Sequence, residues 1–150
     1  MDKVIDFLGS GWVFSLFDLV SSFHQIKAHK DTVPLTAFCT PTGLCDWLVM
    51  PQGSSASPGW LVKVIIVVIK YLKQVAAYHD DVSVFDSDPI AHVQTIRSFF
   101  ERLRKHNLKG SPSKARLGAI DANFLGHSVS PAGLRPNAEN VSVLLSLIHI

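Results

Sequence analysis

The sequence predicts a single α+β domain, a mainly antiparallel sheet with a hairpin packed on helices, and three observations lead there. Short β-prone segments bounded by turn residues recur along the chain, two stretches with helical signatures separate them, and neither an internal repeat nor a Pro/Gly-rich linker divides the whole. With 150 residues, 47% of them hydrophobic, the chain can bury one core and is too short for two comfortable ones.

Taken in order, residues 13–17 are β-prone and end at Asp18, so a strand should deliver that carboxylate at its tip. Residues 35–40 and 44–50 flank Pro41-Thr42-Gly43, a turn in which glycine accepts positive φ, and read as a hairpin. Ser57-Pro58 is a cap and first-turn pair that predicts a helix running to Leu72. Residues 64–69 are wholly β-branched and would suit a buried strand equally well. Residues 75–78 and 82–85 flank His79-Asp80-Asp81, a second hairpin with its acidic pair at the turn. From 91 to 106, Val93, Ile96, Phe99, Phe100 and Leu103 recur at helical spacing, while Arg97, Arg102, Arg104 and Lys105 fall largely elsewhere, so this is an amphipathic helix. Residues 124–129, with a return after Pro131-Ala132-Gly133, make a last hairpin.

Composition narrows the function classes. A net charge of +2, from 14 Lys and Arg against 12 Asp and Glu, does not by itself argue for a nucleic-acid partner. Cys39 and Cys45 lack the spacing of a zinc site or a disulfide framework and read as reduced thiols. The apolar run 61–72 is broken by Lys63 and Lys70 and falls short of the ~20 residues that cross a bilayer, so no membrane partner is expected. The first residues lack a secretory pattern, which makes an intracellular location the expectation. No serine or cysteine has a recognisable base partner at a familiar spacing, which disfavours a hydrolase.

The carboxylates carry the chemistry. Neighbours on a regular strand point to opposite faces, so Asp80 and Asp81 share a site only if a tight turn breaks the alternation. An Asp-Asp pair alone is ordinarily a solvated turn. Asp18 at the end of another β segment changes the balance, because two divalent cations about 3.5–4 Å apart need several converging oxygen ligands.

Several motifs now fall into order: residues 14–26, Phe-Ser-Leu-Phe-Asp-Leu-Val-Ser-Ser-Phe-His-Gln-Ile, then Thr36-Ala37-Phe38, Thr40-Pro41-Thr42-Gly43, Trp47, Met50-Pro51-Gln52-Gly53, Ser57-Pro58, Tyr78-His79-Asp80-Asp81, Lys114 and Phe124-Leu125-Gly126-His127. This series resembles the polymerase palm of gypsy-like long-terminal-repeat retrotransposon reverse transcriptases, from about Ser10 to Val141. The resemblance implies RNA-directed DNA polymerase chemistry, with Asp18, Asp80 and Asp81 holding two Mg²⁺ ions, or Mn²⁺ in their place. It implies Lys114 near the triphosphate, Phe23 as a steric gate against ribose, and Gln52 and Gly53 touching nucleotide and template. Tyr78 would stand beside the substrate, and Phe124, Leu125, Gly126 and His127 would form the primer grip. Phe23, Phe124 and His127 would serve ordinary packing as well. The implied partners are an RNA or DNA template with its primer, deoxynucleoside triphosphates, and the remaining polymerase, ribonuclease H and integrase domains of a polyprotein.

The match departs from the family where His79 replaces an aliphatic residue or methionine, and where Leu35 stands in place of a lysine. Residues 1–143 would be a palm with fingers and thumb incomplete, and 144–150 a truncation or appended tail unlike the family's continuation. Two other readings stay open: a decayed, non-catalytic retroelement relic, and a binding module built on Arg97, Arg102, Arg104, Lys105, Lys109, Lys114 and Arg116.

Overall fold

The computed structural model describes residues 11–124, 127–130 and 133–136. Its elements are β1 (Val13–Asp18), β2 (Phe38–Thr40), β3 (Gly43–Cys45), α1 (Ser57–Ile69), β4 (Val75–Tyr78), β5 (Asp81–Asp86), α2 (Pro89–Lys105), β6 (Arg116–Ala119), β7 (Ala122–Phe124), β8 (His127–Ser130) and β9 (Gly133–Pro136). A four-stranded antiparallel sheet in the order β4-β5-β1-β6 forms the centre. A second sheet, β7-β8-β9, and the small β2-β3 ribbon stand apart from it. The α+β class expected from the sequence is therefore the architecture observed.

The central strands are buried on both faces, which explains why β5 reads as a run of buried residues rather than an alternation. One face, carrying Phe17, Val75, Val82 and Val84, packs on α1 and α2 through Leu61, Ile65, Val68, Phe99 and Leu103. The other, carrying Phe14, Ala76 and Phe85, packs on Ala122, Phe124 and Val129 of the second sheet. Alternation along β1 then assigns Asp18, in step with Phe14 and Leu16, to the face away from the helices.

Helix α1 forms despite its β-branched run: Pro58 supplies the first turn, and only Leu61, Ile65 and Val68 need burial at helical spacing. Its C-terminal carbonyls are satisfied by Arg102, which donates from Nε to the Val68 carbonyl at 2.8 Å and from an Nη to that of Val67 at 3.0 Å. Arg102 thus serves helix packing and leaves the proposed basic face. Helix α2 starts two residues earlier than its apolar pattern indicates, because Asp88 caps it by accepting from the Ala91 amide at 2.8 Å. The buried stripe of α2 is His92, Phe99 and Leu103, with Val93 and Phe100 exposed. A histidine inside and a valine outside invert the expected assignment, and the polar partners of His92 described below are the reason.

The 35–50 hairpin is shorter than expected. Only three residues per strand pair, across a Pro41-Thr42 turn closed by Gly43 at φ +146°, while Leu35 lies in a 3-10 turn and Met50 enters the core. Strand β6, absent from the sequence reading, completes the sheet. Residues 137–150, including the 144–150 tail, lie outside the described residues.

Candidate functional site

The β1–β5 register sets Asp18 directly across from Asp81, and the β4–β5 register sets Asp81 across from Tyr78. Side chains directly opposite on antiparallel strands share a face with Cβ atoms about 4.5–5.5 Å apart. The connecting turn is the two-residue pair His79-Asp80, so Asp81 is already the first strand residue and Asp80 sits in the bend. His79 takes φ +54°, a left-handed conformation that a two-residue hairpin needs at its first position and that histidine tolerates better than most side chains. Its ring stands edge-on to Tyr78 with centroids 4.5 Å apart.

Main-chain bonds tie the end of β1 on both sides. The Leu19 amide donates to the Asp80 carbonyl at 3.2 Å, the Ser111 amide to the Asp18 carbonyl at 2.8 Å, and the Val20 amide to the Lys109 carbonyl at 3.0 Å. Gln25 reinforces this seam: it accepts from the Lys109 amide at 2.6 Å and donates to the carbonyls of Lys109 and Val20. Nothing in the composition around Gln25 signals this role, because its partner Lys109 lies 84 residues away.

These bonds frame an open pocket of about 370 Å³ lined by Asp18, Asp80, Gln52, Ser21, Ser111 and Lys114 among others. Lys114 Nζ lies 3.0 Å from Asp18 Oδ2. The Asp81 carboxyl is pushed above the ordinary aspartate range, first by partial burial and then by the charges of Asp80 and Asp18, while Lys114 and His79 pull it back. Asp81 therefore feels both neighbouring carboxylates without full compensation. Among the described residues no three His, Cys, Asp or Glu side chains close around a point as a preformed metal cage would. Magnesium is ordinarily held by one or two carboxylates together with substrate phosphates rather than by an all-protein cage, so Asp18 and Asp80 on one pocket wall fit that ion.

Of the other expected site residues, Gln52 lines the pocket and is exposed, and Gly53 beside it takes φ +91° with open space where a Cβ would lie. Gly53 is thus required for its backbone angle, not for a close approach within the fold. Phe23, in the 3-10 turn Ser22–Gln25, packs against the helical-face core and is not part of the pocket lining. Tyr78 is part-exposed beside Asp81. Phe124 is buried in the second-sheet core and pairs with His127, while Leu125 and Gly126 lie outside the described residues.

The comparisons with known proteins agree with this geometry. The family described as "Reverse transcriptase (RNA-dependent DNA polymerase)" matches residues 2–129. The chain belongs to the reverse transcriptase family. This reverse transcriptase chain is 32% identical over 148 residues to the retrovirus-related Pol polyprotein from transposon 297 of Drosophila melanogaster, covering 97% of the chain and 14% of that polyprotein. It is 32% identical over 130 residues to polyprotein P3 of Commelina yellow mottle virus, covering 86% of the chain and 7% of the relative. A Schizosaccharomyces pombe transposon Tf2-3 polyprotein is 28% identical over 135 residues, covering 89% and 10%. The chain therefore spans only about a seventh or less of these relatives. Its fold is that of foamy viral protease-reverse transcriptase, seen with double-stranded DNA at a TM-score of 0.88 and 22% identity, covering 95% of this chain and 26% of that one. The complex of the foamy viral enzyme with an RNA/DNA hybrid matches with the same TM-score, identity and share of this chain, and 19% of that chain. The reverse transcriptase palm expected from the motif order is thus the fold found. No helix among the described residues is long and apolar enough to cross a membrane.

One cluster escaped the sequence reading altogether. Ser15 Oγ lies 2.8 Å from His92 Nε2, and His92 Nδ1 lies 2.8 Å from Asp86 Oδ2, with all three residues buried. A serine, histidine and aspartate do meet in space, against the expectation from spacing. Ser15 is fully enclosed, so no substrate carbonyl can reach its hydroxyl and the trio is not a hydrolytic site.

Proposed function

We propose that this chain is the palm of an RNA-directed DNA polymerase, working within a retrotransposon polyprotein and joining deoxynucleotides to a primer 3′-hydroxyl on an RNA or DNA template. The observation that carries the reading is that Asp18, Asp80 and Lys114 line one pocket, with the Lys114 ammonium 3.0 Å from Asp18. Mg²⁺, or Mn²⁺, bound by Asp18 and Asp80 would supply positive charge to the attacking hydroxyl and the triphosphate. The chain's own groups do the rest. Asp81 adds negative potential beside the pair and raises its demand for cations. Lys114, part of the same pocket and 65% exposed, exchanges its contact with Asp18 for the incoming triphosphate, whose departing oxygens its ammonium stabilises or protonates. Gln52 and Gly53 form the wall toward nucleotide and template, and Tyr78 borders the same edge. Phe23 belongs to the turn that supplies Ser22 to the pocket lining, and the family resemblance assigns it the steric gate against ribose. The β7–β8 hairpin, with Phe124 through His127, is assigned to the primer end. Residues 1–143 act as this palm, with fingers, thumb, ribonuclease H and integrase supplied elsewhere in the polyprotein.

Calorimetric titration of the chain with Mn²⁺, followed by Mg²⁺-dependent primer extension after fingers and thumb are supplied from a relative, tests the reading. Asp18→Asn and Asp80→Asn should each abolish extension and weaken Mn²⁺ binding; extension unaffected by either would refute the assignment. A second reading, a relic without activity, is favoured by His79 in the catalytic turn and by Val62, Ile66 and Val67 exposed on α1. Extension by the completed enzyme would exclude it.

A further inference from the structure

We infer that the buried chain Asp86–His92–Ser15 is a positioning device that holds a bulge in β6 and thereby decides that Lys114 faces Asp18. The inference rests on the polymerase reading for its purpose, and on geometry alone for its existence.

The β1–β6 ladder pairs Phe14 with Ala119 and Leu16 with Arg116. Between these pairs β1 contributes one residue, Ser15, and β6 contributes two, Leu117 and Gly118. That extra residue is a β-bulge, and Gly118 takes φ +63°, which glycine adopts without strain. Lys114 lies in the turn 112–114 that leads into β6, and from there its ammonium reaches Asp18 at 3.0 Å, so the Leu16–Arg116 register sets where that turn enters the sheet. Carrying the Phe14–Ala119 register onward without the bulge would put Leu117 across from Leu16 and Ala115 across from Asp18. A one-residue slip turns each β6 side chain to the other face of the sheet and displaces the turn before it by one residue, so Lys114 would lose its place beside Asp18. The bulge is therefore what delivers the lysine to the pocket.

A bulge takes an amide out of the ladder, and that amide needs a partner. Here the Gly118 amide donates to Ser15 Oγ at 3.0 Å. Ser15 in turn reaches His92 Nε2 at 2.8 Å, His92 Nδ1 reaches Asp86 Oδ2 at 2.8 Å, and the Thr95 hydroxyl lies 3.1 Å from Asp86 Oδ1. With Nδ1–H donating to Asp86 and the serine hydroxyl donating to Nε2, the Ser15 oxygen keeps a lone pair aimed at Gly118. One satisfied chain thus runs from β5 through α2 and β1 to β6. A buried network with all its members paired specifies one arrangement, whereas a half-paired one is costly, so slipping the β6 register would strand the serine acceptor. Ser15, His92 and Asp86 touch neither nucleotide nor carboxylate site; they are positioning residues.

The test is nuclear magnetic resonance on the full ¹⁵N,¹³C-labelled chain, wild type and Ser15→Ala. In the wild type the Gly118 amide should exchange slowly with solvent although the residue is exposed. In Ser15→Ala its exchange should rise by roughly tenfold, the worth of one lost hydrogen bond. The Asp18 carboxyl carbon and the Lys114 resonances should shift as their contact is lost, while the Val82 and Val84 amides in the β1–β5 ladder stay as they were. A purely structural role would disturb those amides too. Unprotected Gly118 in the wild type overturns the inference, and needs no variant to fold. So does a Ser15→Ala chain whose Gly118 exchange and Asp18 and Lys114 resonances match the wild type. Mn²⁺ line broadening in the same samples separates the two claims: a protected Gly118 without broadening at Asp18 and Asp80 defeats the polymerase reading and leaves the register device standing.

Discussion

Replacing Asp81 with asparagine removes one of two carboxylates that β1 and β5 set directly across from each other. At a separation of about 5 Å, expected for such a pair, two unit charges in water repel by about 0.8 kcal/mol. Salt screening and the Lys114 ammonium beside Asp18 halve this to roughly 0.4 kcal/mol. A chain of this size gains about 2–4 °C in Tm per kcal/mol, so Asp81→Asn should melt about 1–2 °C higher at neutral pH without divalent metal. The pH dependence fixes the sign. Because the folded state holds the Asp81 proton more tightly than the unfolded chain does, the wild type loses stability as pH rises out of the ordinary aspartate range and through the raised value. Above that value the penalty is constant. The gap between variant and wild type should therefore be full at neutral pH and close in acid. Saturating Mn²⁺ should reverse the order, since metal bound to the folded state stabilises the wild type more than a variant that has lost part of its negative potential. Thermal unfolding followed by circular dichroism, across pH and with or without metal, reads all three effects. A variant that melts lower than wild type in metal-free neutral buffer, or a gap unchanged in acid, would refute the reasoning.

Three further outcomes are expected. His79→Gly should raise stability by about 1 kcal/mol in urea unfolding, because a non-glycine residue at φ +54° carries strain that glycine lacks. Arg102→Met should cost roughly 1.5–3 kcal/mol by removing charged hydrogen bonds to the Val67 and Val68 carbonyls, yet leave the salt dependence of primer–template binding unchanged in fluorescence anisotropy. Phe99→Ala, at a position of α2 with no exposed surface in the core against the sheet, should cost about 3–5 kcal/mol in the same urea assay.

Much of the site was legible because its signals are local. Asp18 terminates a β-prone segment, a turn at His79-Asp80-Asp81 follows from its flanking strands although Asp81 proves to be the first residue of β5, and motif order identifies the family over nearly the whole chain. The helical α1 was legible from Pro58 in its first turn even against six consecutive β-branched residues, but Ser57 is not its cap: Ala56 holds that place without a side-chain hydrogen bond, and the Ser57 hydroxyl donates to the Pro51 carbonyl at 2.8 Å. What stayed hidden depends on distant partners. His92 looks like a polar interruption in an apolar stripe until Asp86 and Ser15 arrive to satisfy it, and Val93 was assigned inward by default. Arg102 looks like part of a basic face until the end of α1 presents its carbonyls. Gln25 has no visible purpose without Lys109.

The sequence by itself determined the family, the strand-borne aspartates, the turn that presents Asp80 and the two helices, because a first-turn proline, turn residues and side-chain periodicity act over a few residues. Only the tertiary structure decided which residues face each other. The turn that carries Lys114 enters β6 where the ammonium can meet Asp18, rather than one residue out of step, because a bulge in β6 absorbs an extra residue and a buried serine receives the amide it frees. Register is a relation between strands far apart in the chain, and side-chain alternation makes a single-residue shift in it an inversion of the site.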